Sequence, residues 1–419
     1  MQKPLTSFNN AKNGAKSQDS FGELVNYTPL PTELDEVFNC IPYKKLIETM
    51  LGERIRAFSP LGRPGYDQEV MLRAYLAGYI LGVENTNDLI RRLQGNPVLA
   101  LVCGFNITKP LPHRTTFNRF FGKLIKYQCL VDECVSEVAT RLREAIPDFG
   151  KVIAIDATAI RSHANANKKP SSDPEAGFAY KGGKKDAYHW EFGYYLHMVA
   201  DAISELPIAK QLSLSSQHEK EIALPLLRKA RDGFLWFNPE AVLADAGYDA
   251  YHVYEDIVNE FDAEPIIDSA KKKAPLLSGS TQQPICPGGL PLIRRGYHPR
   301  LGLRYECPAR ARKSIKCPLP NMCPLKVAYI RPGHDYRRFG YHIPRTSPQW
   351  RELYNKRVAV ERVFSRLKDK RRLNFHCFRG FGKINLHCAL SILVMQAMAL
   401  SKVQSGHSDE IRVCARRIK

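Results

Sequence analysis

The chain is short of acidic residues and of uninterrupted apolar sequence, and each shortage narrows what it can be. Only 42 Asp and Glu stand against 62 Lys and Arg, a formal net charge of +20 at pH 7. That excess says nothing about fold, but it favours a polyanionic partner, with nucleic acid ahead of a membrane surface. The longest apolar run, Leu386 to Leu400, is broken by His387 and Gln396 and falls short of the ~20 residues a membrane span needs. It reads as a buried helix. Nothing from Met1 to Pro31 has the apolar core of a signal peptide, so this stretch reads as a polar arm and secretion is not expected. Eleven cysteines, an odd number without secretory targeting, argue against a disulfide framework and for reduced thiols in the cytoplasm. No internal repeat of the solenoid kind is present.

What is present is ample: 419 residues with 44% apolar content can bury two ordinary cores. From Tyr66 to Lys126 the apolar spacing is helical, punctuated by Asn96-Pro97 and Pro110-Leu-Pro112. Thr115 or Thr116 is placed to cap a helix through Phe117, Phe120 and Phe121. A linker helix from about Leu130 to Ala145 follows, closed by Pro147.

The character then changes. Val152-Ile-Ala-Ile155 is a continuously apolar run consistent with a buried strand, and it ends on Asp156. Phe192 to Ala200 and Pro207 to Ser213 read as an antiparallel hairpin. A helix from His218 to Ala230 follows, with Pro225 marking its first turn. The strand Ala241-Val-Leu-Ala244 ends on Asp245, the helix Tyr251 to Phe261 follows, and Glu264-Pro-Ile-Ile267 is a last strand. Three strands, helix, strand, helix, strand is the order of a ribonuclease H-like mixed five-stranded sheet with flanking helices. The fold class is therefore α/β, with an all-helical N-terminal domain and a Cys- and Arg-rich insertion. That insertion, Lys271 to Arg345, is rich in Pro, Gly, Arg and Lys and shows little periodicity. After it Ser347 caps, and Pro348 opens, one long helix free of Pro and Gly until Gly380.

Two aspartates thus close separate strands, at the edge where open α/β sheets place chemistry. A third carboxylate, Glu361, lies in the long helix within Tyr354-x2-Arg357-x3-Glu361-x6-Lys368. At ~100° per residue those four side chains fall within an arc of about 60°. Three carboxylates suit two Mg²⁺ (or Mn²⁺) ions, hard cations that share their shell with phosphate oxygens and water. Two such ions perform phosphodiester chemistry. Arg357 and Lys368 would hold DNA phosphates, and Tyr354 would orient the attacked phosphate through its hydroxyl. Asp249, expected to cap the next helix, and Asp268 compete with Asp245 for the second place.

These residues carry a resemblance. Ile155-Asp156-Ala-Thr158, Ala244-Asp245-Ala-Gly247-Tyr248-Asp249 and the Tyr354 to Lys368 set resemble the three motifs of insertion-sequence transposases with the Tyr-Arg-Glu-Lys signature. Asp67 to Lys126 looks like the helical N-terminal domain of a common branch. The resemblance covers roughly Asp67 to Ala399. It implies a metal-dependent transposase with Asp156, Asp245 and Glu361 as catalytic, Mg²⁺-holding residues, acting on terminal inverted repeats and target DNA. The mechanism implies a homodimer when assembled on DNA, in the cytoplasm and associated with the nucleoid. A nuclease or resolvase of the same fold without strand transfer is the alternative, as is a non-catalytic DNA-binding protein derived from a transposase.

The expected organisation is a polar arm 1–40, a helical DNA-binding domain 41–146, catalytic segments 147–270 and 346–405 flanking the insertion 271–345, and a basic tail 406–419. Arg91, Arg92, Arg114, Arg119 and Lys123 lie near expected helix termini and suit phosphate contacts. In the insertion Cys286, Cys307, Cys317 and Cys323 each precede Pro. Four thiolates could close a structural Zn²⁺ site, although spacings of x20, x9 and x5 lack paired C-x2-C knuckles. Arg294, Arg295, Arg300, Arg304, Arg310 and Arg312 would clamp DNA in either case. Trp190, His163 and His218 read as structural, with His163 close enough to the first motif to approach the site.

Overall fold

The computed structural model describes residues 31–56, 65–180, 190–269, 276–277, 283–319, 323, 325–331, 342–345 and 347–412. The arm before Pro31 and the tail after Arg412 lie outside the described residues.

The N-terminal part is helical: α1 (Pro31–Cys40), α2 (Lys44–Arg56), α3 (Gln68–Ile80), α4 (Thr86–Gly95), α5 (Pro97–Val102), α6 (Arg114–Leu124) and α7 (Gln128–Ala145). Local chemistry sets the starts. The Asp67 carboxylate accepts from the first-turn amides of α3, Asn85 caps α4, and Asn96 caps α5 with Pro97 behind it. The cap of α6 is His113, whose ring accepts from the Thr115 amide, one turn position before the expected threonines. Phe117, Phe120 and Phe121 point inward onto Tyr75, ring centroids 5.4–6.0 Å away.

The remaining elements are β1 (Val152–Arg161), β2 (Gly177–Tyr180), β3 (Trp190–Asp201), β4 (Pro207–Leu214), α8 (Glu219–Gly233), β5 (Ala241–Ala244), α9 (Tyr251–Phe261), β6 (Glu264–Ile267), β7 (Leu276–Leu277), β8 (Pro284–Ile285), β9 (Ile293–His298), β10 (Gly302–Glu306), α10 (Pro308–Ala311), β11 (Val327–Ile330), α11 (Pro348–Asn355), α12 (Val358–Lys370) and α13 (Phe381–Gln404). The main sheet has six strands rather than five, in the order β2-β3-β1-β5-β6 with β4 also on β3. β1 pairs antiparallel with β3 and parallel with β5, and β5 pairs parallel with β6, so the sheet is mixed. The extra strand, β2, takes over the edge of β3 where β4 ends. This is the α/β, ribonuclease H-like architecture with a helical region beside it.

Three expectations need correcting. β1 does not end on Asp156: its ladder with β3 runs from Ile153 to Arg161, so Asp156 sits mid-strand opposite Met198. Pro225 lies inside α8, not in its first turn. The long C-terminal helix is two helices, because around Lys356 and Arg357 the amides bond three residues back instead of four, to Leu353 and Tyr354.

The insertion folds. β9, β10 and β11 form an antiparallel sheet over a small core of Cys286, Leu292, Tyr305, Leu325, Ala328 and Ile330. α13 is long and apolar enough to cross a membrane, but 89% of its most apolar window is buried within the protein. It packs against α1, α3, α7 and β4, so helical region and sheet share one continuous core. Arg371, 1% exposed, ties the end of α12 to that region by donating to the Tyr79 and Ile80 carbonyls of α3.

Candidate active site

Backbone register brings the first two aspartates together. Val152, Ile153 and Ala154 pair with Ala241, Val242 and Leu243, and continuing that register sets Asp245 level with Asp156. Neighbouring strands are ~4.8 Å apart, and side chains at paired positions share a face. Burial pushes the Asp156 carboxyl up to about 7; Asp245 and Glu219 push it the same way, while the Ala157 amide and the Arg357 guanidinium oppose them. The Asp245 side chain accepts from the Gly247 amide at 2.8 Å and so caps the turn that follows β5.

Glu219, which sequence reasoning passed over, completes this group. It opens α8, and burial and Asp245 raise its carboxyl against the pull of His218 and Lys220. A signal existed: β4 and β5 both run parallel to β1, so the helix after β4 must start at the edge where β1 and β5 present Asp156 and Asp245. A carboxylate in its first turn lands beside them.

Glu361 sits differently. Its side chain is 49% exposed and paired with Arg357 at 2.8 Å. The Arg357 guanidinium also lies over the Tyr354 ring, 5.7 Å from its centroid, and Tyr354 stacks on Trp350 at 5.1 Å. The expected face of Tyr354, Arg357 and Glu361 therefore holds across the break between α11 and α12. Lys368 donates to the Thr158 hydroxyl of β1, two residues beyond Asp156 on the same strand face.

The competitors are engaged elsewhere. Asp249 does not cap α9, whose N-cap is Ala250; its buried carboxylate accepts from Tyr254 and Ser269. Asp268 pairs with Arg345 at 3.2 Å. His163 is exposed and lines an open cleft of about 480 Å³ with Trp190 and Phe178 at the far end of β1. His218 precedes Glu219 as N-cap of α8.

Among the described residues no three His, Cys, Asp or Glu side chains are gathered closely enough to hold a metal ion. Like charges at one sheet edge repel, and Glu361 is held by Arg357. The four cysteines are not gathered either. Cys286 and Cys307 are buried and Cys317 and Cys323 half-buried, with the Leu290 and Leu319 amides donating to the sulfurs of Cys286 and Cys317. All ten cysteines of the described residues are free thiols.

The Transposase DDE domain family matches residues 147–396. The chain belongs to that family. A second family, Transposase domain (DUF772), matches residues 23–123, across α1 to α6. No curated protein matches the chain. In this transposase Asp156, Asp245, Glu219 and Glu361 all fall inside the DDE match. DNA is the partner such a protein implies, and DDE transposases generally use divalent metal ions. On α6 Arg114, Arg119 and Lys123 are exposed, with no carboxylate recorded against them among the described residues. On α4 Arg91 and Arg92 share Asp88.

Proposed function

We propose that this transposase cuts a phosphodiester at each end of an insertion sequence and passes the freed 3′-hydroxyl into target DNA. The observation that supports it best is the parallel pairing of residues 152–154 with 241–243, whose continuation leads to Asp156 and Asp245, with Arg357 close enough to both Asp156 and Glu361 to influence each electrostatically. The donor chemistry suits hard divalent cations, since the groups that influence the buried Asp156 carboxyl include the carboxylates of Asp245 and Glu219. Asp156, Asp245 and Glu361 would hold Mg²⁺ or Mn²⁺. Two such ions, when bound, supply activation of the attacking hydroxyl and stabilisation of the leaving oxygen.

The chain's own groups do the rest. Arg357, freed from Glu361, offers a fork of donors to a phosphate, and Lys368 on Thr158 offers a point charge next to Asp156. Tyr354 is held by its stack on Trp350 with its hydroxyl toward the same phosphate. The exposed arginines of β9, β10 and α10 and the basic face of α6 hold the flanking duplex, which includes the terminal repeats. Pairing two ends calls for two copies, so the working form is a homodimer on DNA, in the cytoplasm at the nucleoid.

The test is single replacement of Asp156, Asp245 and Glu361 by Ala. Each should abolish Mg²⁺-dependent cleavage and leave DNA binding intact; retained cleavage removes that residue from the triad. A pre-cleaved 3′-end supplied to the wild-type protein should be joined to target DNA, and cleavage without joining would make it a nuclease instead.

A further inference from the structure

We infer that Glu219 is a fourth carboxylate facing the divalent cation of this site, and that the Tyr248 hydroxyl donates a hydrogen bond into the same space. The inference rests on the reading of Asp156 and Asp245 given above and extends it to residues outside the signature.

Three observations carry it. The first is the space over Gly247. A Cβ placed there would lie 2.8 Å from Asp245 Oδ1 and 2.8 Å from Glu219 Oε2. The two carboxylate oxygens thus flank one point and stand no farther apart than twice that distance. The backbone between them carries no side chain, which leaves room for a shared ligand.

The second is Tyr248. It is 1% exposed, and its hydroxyl has no hydrogen-bond partner. A buried orphan hydroxyl costs roughly 1–3 kcal/mol. The turn that carries it, Ala246–Tyr248, is capped by Asp245 and packs on α8, the helix that Glu219 opens. A cation-held water or carboxylate oxygen is the acceptor that such a donor lacks.

The third is the contrast with Glu361, which is exposed and neutralised by Arg357. Glu219 has no basic side chain paired with it among the described residues. Two divalent cations carry more charge than Asp156, Asp245 and Glu361 can balance, and Glu219 supplies the difference where burial makes imbalance most costly.

The experiment measures Mn²⁺ binding to the full chain by electron paramagnetic resonance, together with melting temperature with and without Mn²⁺. Glu219→Gln should weaken Mn²⁺ binding about ten-fold or more, with Glu219→Asp recovering part of the loss. Without metal, Glu219→Gln should melt no lower than wild type, because it removes a like charge beside Asp245. Tyr248→Phe should likewise melt no lower without metal and weaken Mn²⁺ binding several-fold. Wild-type Mn²⁺ affinity in Glu219→Gln, with binding lost in an Asp156→Asn control, overturns the inference and leaves the triad standing. Undiminished binding in Asp156→Asn overturns the triad itself. A lower metal-free melting temperature in Glu219→Gln with an unchanged Mn²⁺-induced rise makes the residue structural and also overturns the inference.

Discussion

Replacing Arg371 by Met tests how the two halves of the molecule are fastened. The guanidinium is 1% exposed; it donates to the Tyr79 carbonyl at 2.9 Å, to the Ile80 carbonyl at 2.5 Å and to the Met398 sulfur at 2.9 Å. Those carbonyls end α3, where the helix dipole concentrates negative charge. Met fills similar volume and keeps the contact with Met398 but donates nothing. The Ile80 carbonyl then loses a charged donor in a buried setting, worth roughly 1–3 kcal/mol. The Tyr79 carbonyl loses less, since the Gly82 amide still reaches it at 3.3 Å. Relief from burying a cation offsets part of the sum, so the net cost should be about 1–3 kcal/mol. Urea unfolding, followed by tryptophan fluorescence and by helical circular dichroism, should show the midpoint falling in both signals. Arg371→Lys keeps the charge but not the fork and should recover roughly half. A loss below about 1 kcal/mol in Arg371→Met would refute the reasoning, because the carbonyls would then have found other donors.

Other outcomes follow from the same geometry. Gly247→Ala puts a methyl 2.8 Å from both Asp245 Oδ1 and Glu219 Oε2; the fold should survive, as both side chains can swing away, but Mn²⁺ affinity should drop about ten-fold or more, and unchanged affinity would contradict it. Burial holds His197 at about 4, below its usual 6.5. Its unfolded form therefore takes up protons first, and stability that is complete above pH 6.5 drains away as the pH falls toward 4. His197→Asn should flatten the fall in melting temperature across that window, and an undiminished slope would show that the ring is not responsible. Arg119→Ala with Lys123→Ala should lower the dependence of DNA affinity on log salt by about one per residue; an unchanged slope would remove α6 from the DNA track.

Much of the sheet was legible because its strands are short, continuously apolar and separated by helices of clear period. The helix Tyr251–Phe261 and the strands Ala241–Ala244 and Glu264–Ile267 stand where the pattern set them. The extension of β1 past Asp156 was not legible, since Asp156-Ala-Thr158 interrupts the apolar run and only pairing with β3 keeps it extended. The break at Lys356 and Arg357 has no Pro or Gly to announce it. The sheet of the insertion hid for another reason: β9 shows solvent an almost continuous polar face, and its core draws single residues from distant segments. At the candidate site only Asp245 follows a strand end as the pattern read it; Asp156 was read as one but lies mid-strand, and Glu361 alone was given the third place. Glu219 required knowing that β4, β1 and β5 run the same way.

The helix α13 matters also for synthesis. It lies near the C-terminal end of the chain, yet α1, α3, α7 and β4 all pack on it. On the ribosome the earlier helices and strands must wait, with part of their apolar surface uncovered, until Phe381–Gln404 emerges. Neither half can complete its core first. A nascent chain that has not yet released Phe381–Gln404 therefore lacks the helix on which both the helical region and the sheet close their shared core.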